Sequence, residues 1–339
     1  MKKLYLTPKF KQFNQTRARK GLLARSEKLT KGGAFGFVIF KKKAASHKSK
    51  TVSHNKTIAI APEYFSIINN RNEFEEFLKK VDIPAWHGKD VYIDLSGVKK
   101  ITPDGLLIMI AYLNRYNSCN PIPHIGGNSP VEEYCRHVFL ESGFYKYVNS
   151  KYKHQNSNNV LSVRSDELIR SDEAGAVIEF VRNKLKLKDK VLTRAVYTTI
   201  METMNNVKEH AYEGRKNFGW WLMALPEREE DIIHFAIIDI GIGIPGTIRR
   251  KFRISEMLPF MENDGKLIQA TVLEQNRSST KLPYRGLGLP KLKKIVDNRK
   301  IRNLNIISRK GGYLMDEDQP YDLNGEYFGT MISWDFVKE

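Results

Sequence analysis

The sequence predicts an α/β protein with two structured units behind a basic arm. Three observations lead there. Strand-like runs alternate with helical periods between residues 57 and 149. A second alternation begins near residue 165, where a long helical pattern leads into the strand-like run Ile232–Asp239 and then a glycine turn. A chain of 339 residues with 41% hydrophobic content is long and apolar enough to fill two cores.

The arm comes first. Residues 1–56 hold 16 Lys and Arg against one acid, Glu27, and the remainder holds 40 bases against 37 acids, so 15 of the 18 formal net positive charges belong to the arm. Inside it, Phe35-Gly36-Phe37-Val38-Ile39-Phe40 is apolar enough for one docking strand on an otherwise mobile tail. The same arm has the charge to contact nucleic-acid phosphates, or an acidic protein or membrane surface. Composition leaves these open.

The first unit spans 57–149. Thr57–Ala61 reads as a strand, and Asn72–Val81 as an amphipathic helix with Phe74, Phe77 and Leu78 inward. Val91–Val98 is a strand ending in a turn, and Ile101-Thr102-Pro103-Asp104-Gly105 leads into an apolar helix over Leu106–Asn114. Asp104 is expected to cap that helix, whose N-terminus favours a carboxylate. A strand and turn at Pro123–Asn128 and a helix over Val131–Glu141 complete the unit. The polar, turn-rich stretch 150–164 reads as a linker.

The second unit, 165–339, holds the chemistry. Helices are expected over Ala174–Leu187 and Leu192–Tyr212. On the latter, Glu202, Asn206 and His210 stand at i, i+4 and i+8, which places a carboxylate, an amide and an imidazole on one face. Ile200, Met204 and Val207 lie on neighbouring faces and can anchor the helix to a sheet. The strand ending at Asp239 passes into Ile240-Gly241-Ile242-Gly243-Ile244-Pro245-Gly246, where glycine permits approaches that a Cβ forbids. Arg285-Gly286-Leu287-Gly288-Leu289-Pro290 then opens a helical run from Lys291 to Val296. The free N–H groups and dipole of such a helix start suit a polyphosphate.

In this order the three pieces resemble the GHKL ATPase family, which includes gyrase, Hsp90, MutL and histidine kinases. Glu202-x-x-x-Asn206 is similar to its N box, Asp239-x-Gly241-x-Gly243 to its first glycine box, Gly286-Leu287-Gly288-Leu289 to its second, and Gly329-Thr330 to the closing strand. The resemblance implies a Bergerat-type α/β sandwich, with helices on one face of a mixed sheet, that binds ATP and Mg²⁺. It makes Glu202 the catalytic base and Asn206 the metal ligand. Asp239 would accept the adenine amino group, and Gly241 and Gly243 would pass beneath the base. Lys281, Arg285, Gly286, Leu287 and Gly288 would surround the phosphates, and Thr330 would complete the ATP site. His210 would extend the ATP-binding face or serve as a structural residue at the helix end. Thr247 to Tyr284 would form a lid.

Residues 57–149 resemble a STAS domain, the fold of bacterial anti-sigma-factor antagonists. Ile93-Asp94-Leu95-Ser96-Gly97-Val98, Ile101-Thr102-Pro103-Asp104-Gly105-Leu106 and Glu141-Ser142-Gly143-Phe144 carry the likeness. Pro103 stands where that family has its phosphorylated Ser, so a phospho-switch there is lost, and Thr102 is an off-register hydroxyl. Glu202-x-x-x-Asn206-x-x-x-His210-Ala211-Tyr212 is most similar to the anti-sigma-factor serine kinases, whose partners are STAS domains. The pair of resemblances implies a regulator in a partner-switching pathway, with a sigma-factor-like or STAS-type protein partner and, as a further expectation, a homodimer. Two classes of function follow. One is an enzyme that hydrolyses ATP or phosphorylates a partner. The other is a binding module for which ATP is a conformational ligand.

No apolar stretch approaches the ~18 residues that span a bilayer, and the start of the chain breaks its apolar character too soon for a secretory signal. Two cysteines, Cys119 and Cys135, make neither a disulfide framework nor a metal cluster. The expectation is a cytoplasmic protein.

Overall fold

Strands and helices alternate through both halves of the chain, giving a mixed α/β fold. The computed structural model describes residues 37–38, 56–116, 118–146, 149–150, 160–187, 190–212, 217–227, 230–251, 263–273, 288–299 and 301–338. The first half runs β1 (Phe37–Val38), β2 (Thr57–Ile60), β3 (Tyr64–Phe65), α1 (Arg71–Trp86), β4 (Val91–Asp94), β5 (Lys100–Ile101), α2 (Pro103–Tyr116), β6 (Ile125–Gly127), α3 (Glu133–Glu141) and β7 (Asn149–Ser150). Its main sheet has the order β2-β4-β6-β1-β7. The first three strands are parallel, as helical crossovers require. The arm's apolar run supplies β1, which lies antiparallel between β6 and β7, with Val38 opposite Gly126 and Asn149 and Phe37 opposite Ser150.

The amphipathic pattern in α1 is realised, with Phe74, Phe77, Leu78 and Val81 buried. Helix α2 differs in kind, because every residue from Pro103 to Leu113 is buried. A helix that is apolar all round needs cover all round. Asp104 does not cap α2. Its carboxylate accepts the Ser66 hydroxyl at 2.9 Å and the Ile67 and Ile68 N–H groups at 2.8 and 3.3 Å. The turn after β3 brings those donors to it, and it ties that turn to the helix start.

The second half runs β8 (Leu161–Asp166), α4 (Ser171–Lys184), α5 (Lys190–Asn206), a π-helical turn (Val207–Ala211), β9 (Trp220–Pro226), β10 (Ile232–Asp239), α6 (Ile244–Lys251), α7 (Asp264–Val272), α8 (Gly288–Asp297), β11 (Arg302–Leu314) and β12 (Gln319–Val337). Strand β8 begins inside the stretch expected to be linker. The sheet order is β8-β9-β10-β12-β11, and every pair is antiparallel. The expectation of a mixed sheet is corrected here. Short links join β9 to β10 and β11 to β12, and such links permit only antiparallel pairing.

Both faces of this sheet are covered. Trp220, Leu222, Phe235, Ile237, Ile306 and Trp334 point toward the helices, packing with Val181, Ile200, Met204 and Leu292. Phe235 and Trp334 stack across the strands with centroids 5.1 Å apart. The alternate residues Trp221, Met223, Ala236, Ile238, Ile307 and Met331 share a core with α2. The two halves therefore have one continuous apolar cluster between them. Part of the expected lid is also core, since α7 buries Leu267, Ile268, Ala270 and Val272.

Candidate functional site

Helix α5 is held against the sheet by Ile200 and Met204, both buried, which leaves Glu202 and Asn206 half-buried on another face. The face next meets the start of α8. A Cβ at Gly288 would lie 3.1 Å from the Asn206 Oδ1 and 3.3 Å from the Glu202 Oε2. Glycine is thus the residue that lets the opening of α8 close on the carboxylate and the amide. Lys291, one turn further along α8, forms an ion pair with Glu202.

His210 lies in a π-helical turn that follows the α-helix carrying Glu202 and Asn206. The chain passes from α-helix to π-helix at Val207, and i→i+5 bonding adds a residue to the turn. The His210 imidazole lies 3.7 Å from the Glu209 carboxylate, and its carbonyl accepts the Thr247 hydroxyl at 3.5 Å. The π-turn has a local partner in the first glycine loop. The Ala211 carbonyl accepts the Ile242 N–H at 2.9 Å, and a Cβ at Gly241 would strike that carbonyl. Gly243 has φ +75, a conformation that L side chains rarely adopt. Both glycines are needed for the turn itself.

Asp239 ends β10 opposite Thr330 of β12. It is 4% exposed, and its Oδ1 accepts the Gly241 N–H at 2.7 Å. Burial pushes its carboxyl up to about 7, against the pull of the Gly241 and Thr330 N–H groups. Gly329, with φ +77, gives it room, because a Cβ there would come within 2.7 Å of the Asp239 Oδ1. Thr330 is joined to the same corner by Ser308. The Ser308 hydroxyl donates to the Gly329 carbonyl at 2.7 Å, accepts the Ile244 N–H at 3.0 Å and lies 3.1 Å from the Thr330 hydroxyl.

The structure therefore brings together Glu202, Asn206 and Gly288 in one cluster, and Asp239, Gly241, Gly243 and Thr330 in another. The π-turn links them. Lys281, Arg285, Gly286 and Leu287 lie outside the described residues. Three contributors were not assigned a role from sequence. Lys291 was visible as the base just after the glycines, but its carboxylate partner is 89 residues away. Ser308 sits on a strand with no local motif. Tyr212 accepts the Ile240 N–H at 3.1 Å and donates to the Gly219 carbonyl at 2.7 Å, which fixes the strand end beside Asp239. Burial raises its phenol, and the Asp239 charge adds to this.

A half-buried carboxylate beside an amide and a helix start can orient a phosphate-bearing ligand and a nucleophile. A buried acid at the end of a strand can accept one hydrogen bond with high selectivity, because an unmatched donor or acceptor there loses its water. Comparison with protein-family models, curated proteins and solved structures finds no match.

Proposed function

We propose that the chain is a regulatory Mg-ATP-binding protein of the GHKL type, which hydrolyses ATP or transfers its phosphate to a protein partner in a partner-switching pathway. The observation that supports this most is the meeting of Gly288 with Glu202 and Asn206, across more than 80 residues of sequence. The residues present fit the ligand. Gly288 lets the start of α8 come close to the Glu202 carboxylate and the Asn206 amide, and Asp239 is a buried acceptor suited to an adenine amino group.

In this reading Asn206 would hold Mg²⁺ through its amide oxygen. The ion, when bound, neutralises phosphate charge. The N–H groups opening α8 would bind phosphate oxygens. Glu202 would orient or deprotonate the attacking water or hydroxyl. Residues 57–149 are read as a STAS-like module docked on the back of the ATP-binding domain, and the protein as cytoplasmic. Titration calorimetry with Mg-ATP tests the site: Asn206→Ala should lose Mg²⁺-dependent binding while its circular dichroism spectrum is retained. Unchanged affinity would sink the assignment.

A second reading, in which ATP is a conformational ligand only, is favoured by the ion pair between Lys291 and Glu202. A carboxylate held by an ammonium group is not free to orient an attacking water. Glu202→Ala separates the two readings. It should still bind ATP, and if the protein is an enzyme its turnover should fall by roughly 10²-fold or more. A wild type without turnover, alone or with candidate partners, leaves the conformational reading standing.

A further inference from the structure

Glu75 stands on α1 where that helix meets β12, and it is 2% exposed. Neither of its carboxylate oxygens has a hydrogen-bond partner, and the same holds for the buried Arg71 Nε and Tyr327 hydroxyl of this contact. A buried carboxylate without partners is costly in its charged form and far less so when protonated. Arg71, one turn earlier on the helix, has the spacing to pair with Glu75. Its guanidinium group instead lies over the Tyr321 ring of β12, 3.8 Å from the centroid. The facing stretch of β12 is a bulge. Arg309 pairs with Tyr327 and Gly311 with Asp322, so Lys310 alone stands opposite the stretch from Leu323 to Glu326. The Lys310 N–H is directed elsewhere, to the Asp264 carboxylate at 2.9 Å. Gly325 of the bulge comes up to the buried acid, for a Cβ there would lie 3.8 Å from the Glu75 Oε2.

We propose that Glu75 is a proton-operated latch between α1 and the bulge of β12. In the closed state the carboxyl is protonated and Arg71 is held by Tyr321. When the bulge lifts, water reaches the carboxyl, its proton passes to solvent, and the carboxylate pairs with Arg71 at i, i+4. Closing takes up one proton. Burial pushes the Glu75 carboxyl above its ordinary value, outweighing the Asn324 and Gly325 N–H groups and the Lys79 and Arg71 charges. The other ionisable groups of the seam hold their charge state. Tyr321 and Tyr327 of β12 and Tyr112 of α2 are phenols that burial keeps neutral. On α1 itself, Glu76 pairs with Lys79 and Asp82 with Arg115. Strand β2 has no titratable residue, and β4 turns Tyr92 and Asp94 away from the core face of Val91 and Ile93. The closed state is fully favoured below pH 4.5 and loses ground as pH rises through the value of the docked carboxyl.

Hydrogen–deuterium exchange of the full chain, read by mass spectrometry across a series of pH values, tests the latch beside Glu75→Gln, which cannot ionise. Wild type and variant are compared at the same pH, so the intrinsic pH dependence of amide exchange cancels. In α1 and in residues 319–327, the ratio of wild-type to variant exchange should rise with pH. The rise is up to about tenfold for each pH unit above 4.5, until the docked carboxyl itself ionises. Glu75→Met, equally unable to ionise, should give a ratio with the same slope, whatever its effect on stability. A ratio that is flat with pH overturns the latch. So does a rise of equal size in α4 and α5, which would assign the titration to global unfolding. A ratio that falls with pH overturns it too, by showing that the closed seam holds the charged form.

Discussion

The guanidinium group of Arg115 lies over the ring of Phe328, 3.2 Å from its centroid, and the Trp86 ring lies 4.0 Å away from the same group. Arg115 belongs to α2 of the first half. Phe328 immediately precedes the Gly329-Thr330 pair that faces Asp239. A residue of one half therefore grips the strand that walls the candidate site in the other. Tyr112, one turn earlier on α2, meets the same ring edge-on at 5.9 Å.

Arg115→Ala should destabilise the protein by about 1–3 kcal/mol, through two lost cation–π contacts and the loss of its pair with Asp82 at 3.3 Å. Urea unfolding measures this. Arg115→Lys should recover only part of the loss, because a point charge cannot stack on both rings. Equal stability of wild type and Arg115→Ala would show that the apolar core alone holds the halves together.

Asp239→Asn tests the buried acid in two ways. The folded carboxyl is raised to about 7 from 3.8, so the native state binds more protons than the unfolded one between those values. Wild-type stability should therefore fall relative to the variant by about 1.4 kcal/mol per pH unit as pH rises from 4 to 7. Above 7 the difference should level off. ATP affinity should drop by about 1–3 kcal/mol, since the amide can present a donor where adenine needs an acceptor. A pH-independent difference in denaturant midpoint would show that the carboxyl titrates normally.

His234 carries a linkage of the same sign in a higher pH window. Burial lowers its affinity for protons, but Asp335 at 2.7 Å from Nδ1 and Glu227 at 2.9 Å from Nε2 outweigh that and raise it to about 9. The stabilisation is fully present below pH 6.5 and is lost as pH rises to 9. Urea midpoints measured across that window should decline in wild type. His234→Gln should be less stable at pH 6.5 and show a flatter profile, because no proton is then shared with the carboxylates. Parallel profiles would place the titration elsewhere.

The arm can be tested by deleting residues 1–55. This removes β1 from between β6 and β7, so the melting temperature should fall while ATP binding persists. If the arm also binds nucleic acid, a gel-shift titration of the full chain should show log K falling against log salt with slope of about −0.9Z on duplex DNA, with Z near ~6. Truncation should abolish that binding. An unchanged melting temperature would show that the Phe37–Val38 pairing contributes no stability.

Much of the site was legible because its parts are local. Glu202 and Asn206 are four residues apart on a helix, and a strand running into two glycines can be read from a dozen residues. Helix α2 was legible as an apolar helix, but its burial on every side was not, because nothing local named the second cover. The π-turn at Val207–Ala211 was not legible, because periodicity assumes one helix type throughout. The π-turn meets the glycine loop across 31 residues, the Ala211 carbonyl accepting the Ile242 N–H.

The sequence by itself determined the strongly periodic helices and strands, the excess of bases in residues 1–56 and the identity of the polar residues at the helix face and strand end. Those follow from hydrophobic period, charge and glycine placement, which act within a few residues. Only the tertiary structure decided that Gly288 closes on Asn206, that Lys291 neutralises Glu202, that Ser308 joins Thr330 to the glycine turn, and that α2 covers the back of the second sheet. Each of these depends on side-chain shape and on polar groups finding partners far along the chain. Contacts of that kind form only when the elements have packed, and no local pattern encodes them.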